Sequence, residues 1–534
     1  MATAFSLENS APDSTLRRYL NRIDRAIERG GDLLNPILVK EARQALKSRQ
    51  FVITFSLLLL AAWGWTAGAI LMLMPRIYFV PSGPFLLYGY YVVLAVPMLL
   101  VVPLAAHRSL ASEIDDGTLD LLSVTTLSSM QIITGKLASA GLQLMLYFVA
   151  LFPCVAFSYA LRGVDLMTIG GLILLTITIA ILLTVIGLFL AALPATRAGQ
   201  LGMLVAMLVV VVGAQILVGN LAVEIIESGF TDTSRGFAFA IIVSFLYAST
   251  LSVVLLKAAA AQLAPPSENR STPIRFALFV HQSIMIGCLA FSHWQMGVTT
   301  NGLYVFIYYG AIFWMVVGTL LVGESPILTP RVRRNLPSSF ATRALWIWMT
   351  PGPATGLIFA LCNFAIVVLS VILIRQWSLG RTAILLLPHA EIMPHALVLG
   401  GYLMLFLCIT RWAMQLIRLR HHTHPAIALA VLVIVMGAFA LIPYSVETYL
   451  NDYRSINWSR WQITNWTWTM EMMLSQRLDA DVPYIIFGVG CTAMMITLFT
   501  LGRAVMPLRV ATPQRVLEDH YAANHEIDHF PGLP

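Results

Sequence analysis

Apolar and polar positions along this chain change in blocks, not residue by residue. After a polar stretch of roughly 50 residues, apolar runs of about 20 residues recur as far as residue 502, separated by polar connections. A helix rises about 1.5 Å per residue and the hydrocarbon layer of a bilayer is about 30 Å thick, so each run predicts one membrane-crossing helix. The runs fall at 51–73, 85–105, 138–160, 169–192, 200–222, 237–261, 276–292, 302–322, 355–374, 392–413, 426–446 and 483–502. The pattern therefore predicts an all-α polytopic integral membrane protein with about twelve spans. Its seventh run, 276–292, is short enough to suit a tilted or re-entrant segment.

The polar start has a pattern of its own. Arg17, Arg18, Arg22, Arg25 and Arg29 alternate with Asp24 and Glu28 at helical spacing within residues 1–30, which suits a solvated or surface-lying cytoplasmic segment. The stretch NPILVKEARQALKSRQF follows, where Asn35 can cap a helix whose first residue is Pro36. Ile37, Leu38, Glu41, Ala45 and Leu46 alternate with Lys40, Arg43, Lys47 and Arg49, so residues 35–50 read as an interfacial helix, apolar side toward acyl chains and basic side toward lipid phosphate. The competing reading is a plain lead-in to the first span.

Composition reinforces the membrane assignment: 58% of the 534 residues are apolar and 11% are charged, too few charges for a soluble surface of this size. The formal charge of +7 matters less than where the basic residues lie, and nothing points to nucleic acid. With an inside N-terminus, Lys and Arg favour the inner side by about three to one, which places both termini in the cytoplasm. No cleavable leader precedes the first run, so that span is expected to target the chain. The prolines of QLAPPSENRSTPIR interrupt helix at a cytoplasmic linker, 263–275, and divide the chain into 31–262 and 276–503, with a cytoplasmic tail at 504–534. No convincing repeat relates the halves. Cys154, Cys288, Cys362, Cys408 and Cys491 all sit in or beside apolar runs and read as buried packing residues.

Two clusters have competing readings. His421, His422 and His424 in RLRHHTHP suit a basic cap facing headgroups better than a metal site, since no carboxylate or cysteine accompanies them. The extracytoplasmic segment 447–482 carries Trp458, Trp461, Trp466, Trp468, Tyr449 and Tyr453, which suits a headgroup anchor, with a ligand-stacking surface as the alternative. It also contains sequons at Asn457 and Asn465.

Catalytic motifs are missing from the sequence. IITGKL, residues 132–137, imitates the end of a phosphate-binding loop, but Met130 replaces the first glycine and Leu137 the magnesium-binding hydroxyl. No H-E-x-x-H, C-x-x-C or G-x-S-x-G occurs either. The expectation is a non-catalytic chain with no cofactor or metal of its own. Glu224, Glu227, Glu324, Arg375, Glu391, Arg411 and Glu447 fall near span ends, where long side chains can reach water, which argues against a proton-coupled carrier. Pro97, Pro103 and Pro153 are candidate kinks.

The densest acidic stretch is HRSLASEIDDGTLDLLSVTTLSSMQIITGK, residues 107–136. Leu110, Ile114 and Leu121 share one helical side, and Glu113, Asp116 and Asp120 line another. A short docking helix over 108–123, bent at Gly117 and held at the inner membrane face, is the predicted element, with Gly135-Lys136 as the approach to the third span.

The pattern E-x-x-x-G-T-L-[DE]-L-L, then T-x-L-S and G-K, stands here as Glu113, Gly117, Thr118, Leu119, Asp120, Leu121 and Leu122, then Thr125, Leu127 and Ser128, then Gly135 and Lys136. It resembles the permease subunits of ABC-2 type exporters, as does the N-P-[IV]-[LV]-x-[KR]-E element at Asn35, Pro36, Lys40 and Glu41. Thr126 stands where the family often has proline. The resemblance covers about residues 31–262 and implies an ABC-2 type six-helix core, with a second six-helix portion like that of extended permeases. It also implies a separate ABC ATPase that binds ATP and Mg2+, a homodimer or a heterodimer with a related permease, and a bacterial inner membrane. Glu113, Asp115, Asp116 and Asp120 would then make polar contacts with the ATPase, and Leu119 and Leu121 apolar ones. The rival expectations are a non-transporting membrane scaffold or assembly protein and a carrier driven by an ion gradient.

Overall fold

A computed structural model describes residues 36–118, 127–193, 197–229, 234–265, 268–296, 300–326, 328–334, 339, 342, 346–378, 392–420, 425–452 and 457–505. The N-terminal segment 1–30, Asn35, Leu119, Asp120, Leu121, Leu122, Thr125, Thr126, Tyr453, the histidines of 421–424 and residues 506–534 lie outside them. Among the described residues there is no strand, and twelve helices are long and apolar enough to cross a membrane. The chain is an all-α polytopic membrane protein. Helices are the outcome because a backbone in hydrocarbon must satisfy its N–H and C=O groups within its own segment.

The chain folds as two compact units, Met1–Leu263 and Ala264–Pro534. In the first, α1 (Pro36–Leu46) leads to the spanning helices α2 (Arg49–Leu73), α3 (Gly83–Asp115), α4 (Ser129–Ala160), α5 (Leu166–Ala192), α6 (Arg197–Ser228) and α7 (Ser234–Leu263). Helix α5 is central, with α3, α4, α6 and α7 packed around it. Its own start is set by Asp165, whose carboxylate accepts from the Thr168 amide at 3.1 Å.

Helix α3 departs most from expectation. The second span was predicted to end at residue 105, ahead of a separate docking helix over 108–123; instead one helix continues to Asp115. Pro97 and Pro103 supply no amide hydrogens, so the ladder widens to a π turn over Val96–Val101, where the Val102 amide donates to Pro97 O. That extra residue re-aims everything downstream. Helix α4 likewise begins at Ser129, nine residues before the predicted 138, because Ser128 and Gln131 form a reciprocal capping box. Pro153 is accommodated within α4.

The second unit contains α8 (Thr272–Met296), α9 (Thr300–Val322), α10 (Pro353–Ser378), α11 (Ile392–Arg418), α12 (Pro425–Leu450), the short α13 (Trp466–Leu474) and α14 (Val482–Val505). The seventh span is thus a helix of 25 residues, longer than the run 276–292 and long enough to cross. Helix α11 is central and meets α14 where a Cβ on Gly490 would lie 2.6 Å from Gly401 O; only two glycines let these backbones approach so closely. A polar relay crosses the middle of three spans: Trp314 Nε1 donates to Gln282 Oε1 at 2.6 Å, and Gln282 Nε2 donates to Asn363 O at 3.2 Å.

The Trp-rich segment folds back on α12. Trp466 Nε1 donates to Met436 O at 3.0 Å, and buried Gln462 donates to Pro443 O at 3.1 Å and to Glu447. Asn465 is 3% exposed and caps α13, so its sequon is closed to glycosylation in the folded protein. Among the cysteines only Cys408 is fully buried, and Cys362 faces outward, against the expectation that all five are interior. A thiol is apolar enough for a lipid-facing surface as well as a core.

Candidate functional site

The site is built at one end of the first unit, where α1, α3 and α4 converge. Lys136 lies in the second turn of α4, its side chain 2% exposed. Its Nζ is 3.1 Å from Glu41 Oε1 on α1 and 3.0 Å from Glu113 Oε2 on α3, and it donates to Ser109 Oγ at 2.9 Å. Ser109 donates in turn to Glu41 Oε2 at 3.4 Å, and Lys40 Nζ lies 3.9 Å from Glu113 Oε1. Four charges alternate in sign, Lys40, Glu113, Lys136 and Glu41, across three helices. Desolvating a lysine this far is tolerable only with such partners.

Each position has a local cause. Ile37, Glu41 and Ala45 recur at four-residue steps on α1, which packs on α4 with Ile37 buried and Glu41 and Ala45 half-buried. Lys40, Arg43, Lys47 and Arg49 stay exposed on the other side. On α3, Leu110 is fully buried and Glu113 turns inward beside it. Helix α3 then stops at Gly117, whose φ of +66° suits glycine, while the Thr118 hydroxyl donates to Glu113 O at 3.1 Å. Glu113, Gly117 and Thr118 of the E-x-x-x-G-T pattern therefore hold one helix end: an ion partner, a left-handed stop and a carbonyl cap.

A cleft of about 440 Å³ opens beside this cluster, lined by Lys40, Glu41, Gln44, Ser109, Glu113, Asp116, Thr118, Lys136 and, deeper, Gln143 and Tyr147. The Tyr147 and Thr54 hydroxyls lie 2.6 Å apart and tie α4 to α2, with Phe51 and Phe55 packed against the Tyr147 ring at 5.5 and 6.3 Å. Comparison with protein-family models, with curated proteins and with solved structures finds no match.

The structure redistributes the predicted site residues. Glu113, expected to face a partner protein, is used internally by Lys136. Asp115 accepts from Gln200 Nε2 on α6 at 2.5 Å. Asp116, Gly117 and Thr118 remain exposed at the rim, while Leu119, Asp120, Leu121 and the cap Asn35 fall outside the described residues. Pro36 opens α1 as expected. Sequence reasoning missed Lys136 and Ser109. The signal was present: a lone lysine in an apolar helix, and a lone glutamate on the apolar stripe of α1, each require a partner. Gly135-Lys136 is interior helix and not a loop able to wrap phosphate.

The Lys136 cluster is a buried ion network that spans α1, α3 and α4. It joins three helices rigidly through one buried cation, so displacement of the chain at Gly117–Thr118 passes to α1 and α4 together.

Proposed function

We propose that this chain is the membrane-spanning subunit of an ATP-driven exporter of the ABC-2 type, coupled to a separate cytoplasmic ATPase that holds ATP and Mg2+. The supporting observation is the Lys136 cluster: it locks the exposed rim at Asp116–Thr118 to both α1 and the third span. Movement of an ATPase bound at that rim is transmitted to the bundle without slack, which a peripheral loop could not do. The excess of basic residues on this side of the sequence supports a cytoplasmic rim, and on this reading the membrane is a bacterial inner membrane. A homodimer, or a heterodimer with a related permease, supplies the second half of the pathway.

The test is affinity purification of the tagged full-length chain from its native membrane in mild detergent. The expected result is co-purification of a protein carrying a nucleotide-binding loop, with ATP hydrolysis in the purified complex. Asp116→Lys, at an exposed position, is expected to lower both recovery and hydrolysis while leaving the thermal midpoint of the chain unchanged. Absence of any ATP-hydrolysing partner from the wild-type preparation rules the reading out.

A further inference from the structure

Helix α11 contains another buried cation, and its surroundings differ from those of Lys136. Arg411 lies seven residues before the end of α11 at Arg418, about 10 Å along the axis, and is 2% exposed. Its side chain does not reach water, contrary to the expectation drawn from its place near a span end. Its Nε and Nη1 have no hydrogen-bond partner among the described residues, and the hydroxyl of adjoining Thr410, 0% exposed, has none either.

The neighbouring charges are already engaged. Arg275 is fully buried and pairs with Glu324 Oε2 at 2.8 Å. The same carboxylate accepts from Ser271 Oγ at 2.6 Å and from the Gly352 amide at 2.8 Å. Arg418 donates to Glu324 O at 2.7 Å and Val322 O at 3.2 Å. The Glu324 carboxylate thus belongs to Arg275, and Arg411 forms no ion pair among the described residues. A guanidinium stays protonated at every relevant pH, and an uncompensated one within a span is costly, so it marks a binding site by default. Arg418 lies two turns further along the same face, at the end of α11.

We propose that Arg411, with the Thr410 hydroxyl beside it, anchors a site for an anionic oxygen group, a carboxylate or phosphate, that enters from the Arg418 end of α11. The planar fork of donors matches paired oxygens, the hydroxyl adds one more polar contact, and the buried positive charge of Arg411 itself repels cations. This site lies in the second unit and does not depend on an ATPase partner.

Purified full-length chain in a neutral maltoside detergent is titrated with sodium acetate, inorganic phosphate or dioctanoylphosphatidylglycerol, with dioctanoylglycerol as the uncharged control, and the thermal midpoint is read. At least one anion raises the midpoint of the wild type, and its half-maximal concentration increases roughly tenfold or more in Arg411→Gln, as expected for losing a charge-assisted pair. A response to acetate or phosphate assigns the site to a free solute; a response to the phosphatidylglycerol alone assigns it to a lipid headgroup. No shift with any anion, or equal shifts in wild type and Arg411→Gln, overturns the proposal. If Arg411→Gln does not fold, phenylglyoxal modification of the wild type is followed by peptide mass spectrometry. Anion-dependent protection of Arg411 is then the supporting result, and unchanged modification the overturning one.

Discussion

Lys136 is one cation answered by two carboxylates, and the asymmetry makes its removal costlier than its formation is favourable. Lys136→Met leaves Glu41 and Glu113 facing each other with side chains only 12% and 17% exposed. Breaking a buried pair this way costs about 3 kcal/mol, at the low end of the usual range because solvent reaches both carboxylates. The expected outcome is a lower thermal midpoint in detergent, partly restored by adding Glu113→Gln. A midpoint unchanged by Lys136→Met would show that the cluster holds nothing together. This residue was legible in principle, since a charge in an apolar helix demands a partner. It was overlooked because the third span was drawn from residue 138, nine residues after the helix begins, which left Lys136 in a solvated connection.

Among the elements, helix ends carry most of what the hydrophobic pattern misses. Run length shows that a helix crosses, but caps and prolines decide where it starts and how it is turned. The π turn at Val96–Val101 is one case: it sets the face on which Glu113 emerges, and only the ladder of α3 reveals it. Asp165, in the connection between α4 and α5, is another. Burial opposes its charge, but hydrogen bonds from the Thr168 hydroxyl and backbone amides outweigh this and lower its pKa below the ordinary 3.8. A lowered folded pKa means that the carboxylate stabilises the fold above the unfolded value and loses that contribution as pH falls through the folded one. Asp165→Ala is therefore expected to cost about 1 kcal/mol at neutral pH, as for other lost caps. The difference from wild type should shrink in melting curves taken below pH 3.8. A difference that stays constant from neutral to acid pH would assign the stabilisation to something other than the charged cap.

For the whole molecule, the two units, Met1–Leu263 and Ala264–Pro534, have separate cores and separate buried ion networks, one around Lys136 and one around Arg275. Residues 1–263 produced alone are expected to insert and melt cooperatively, with Lys136→Met lowering that transition. Arg275→Leu should destabilise only a chain containing residues 264–534. A fragment 1–263 that aggregates without a transition would mean that the units are not independent folding bodies. The sequence alone determined that the chain is helical and crosses the membrane in about twelve spans, because in hydrocarbon a run of apolar side chains and a self-satisfied backbone are one requirement. It could not determine which charges meet. Glu41 and Lys136 are 95 residues apart, and Arg275 and Glu324 are 49 apart, so neither pairing has a periodic signature. Tertiary packing decided both pairings and left Arg411 outside them, since the cost of a buried charge depends on its neighbours in space rather than on its neighbours in the chain.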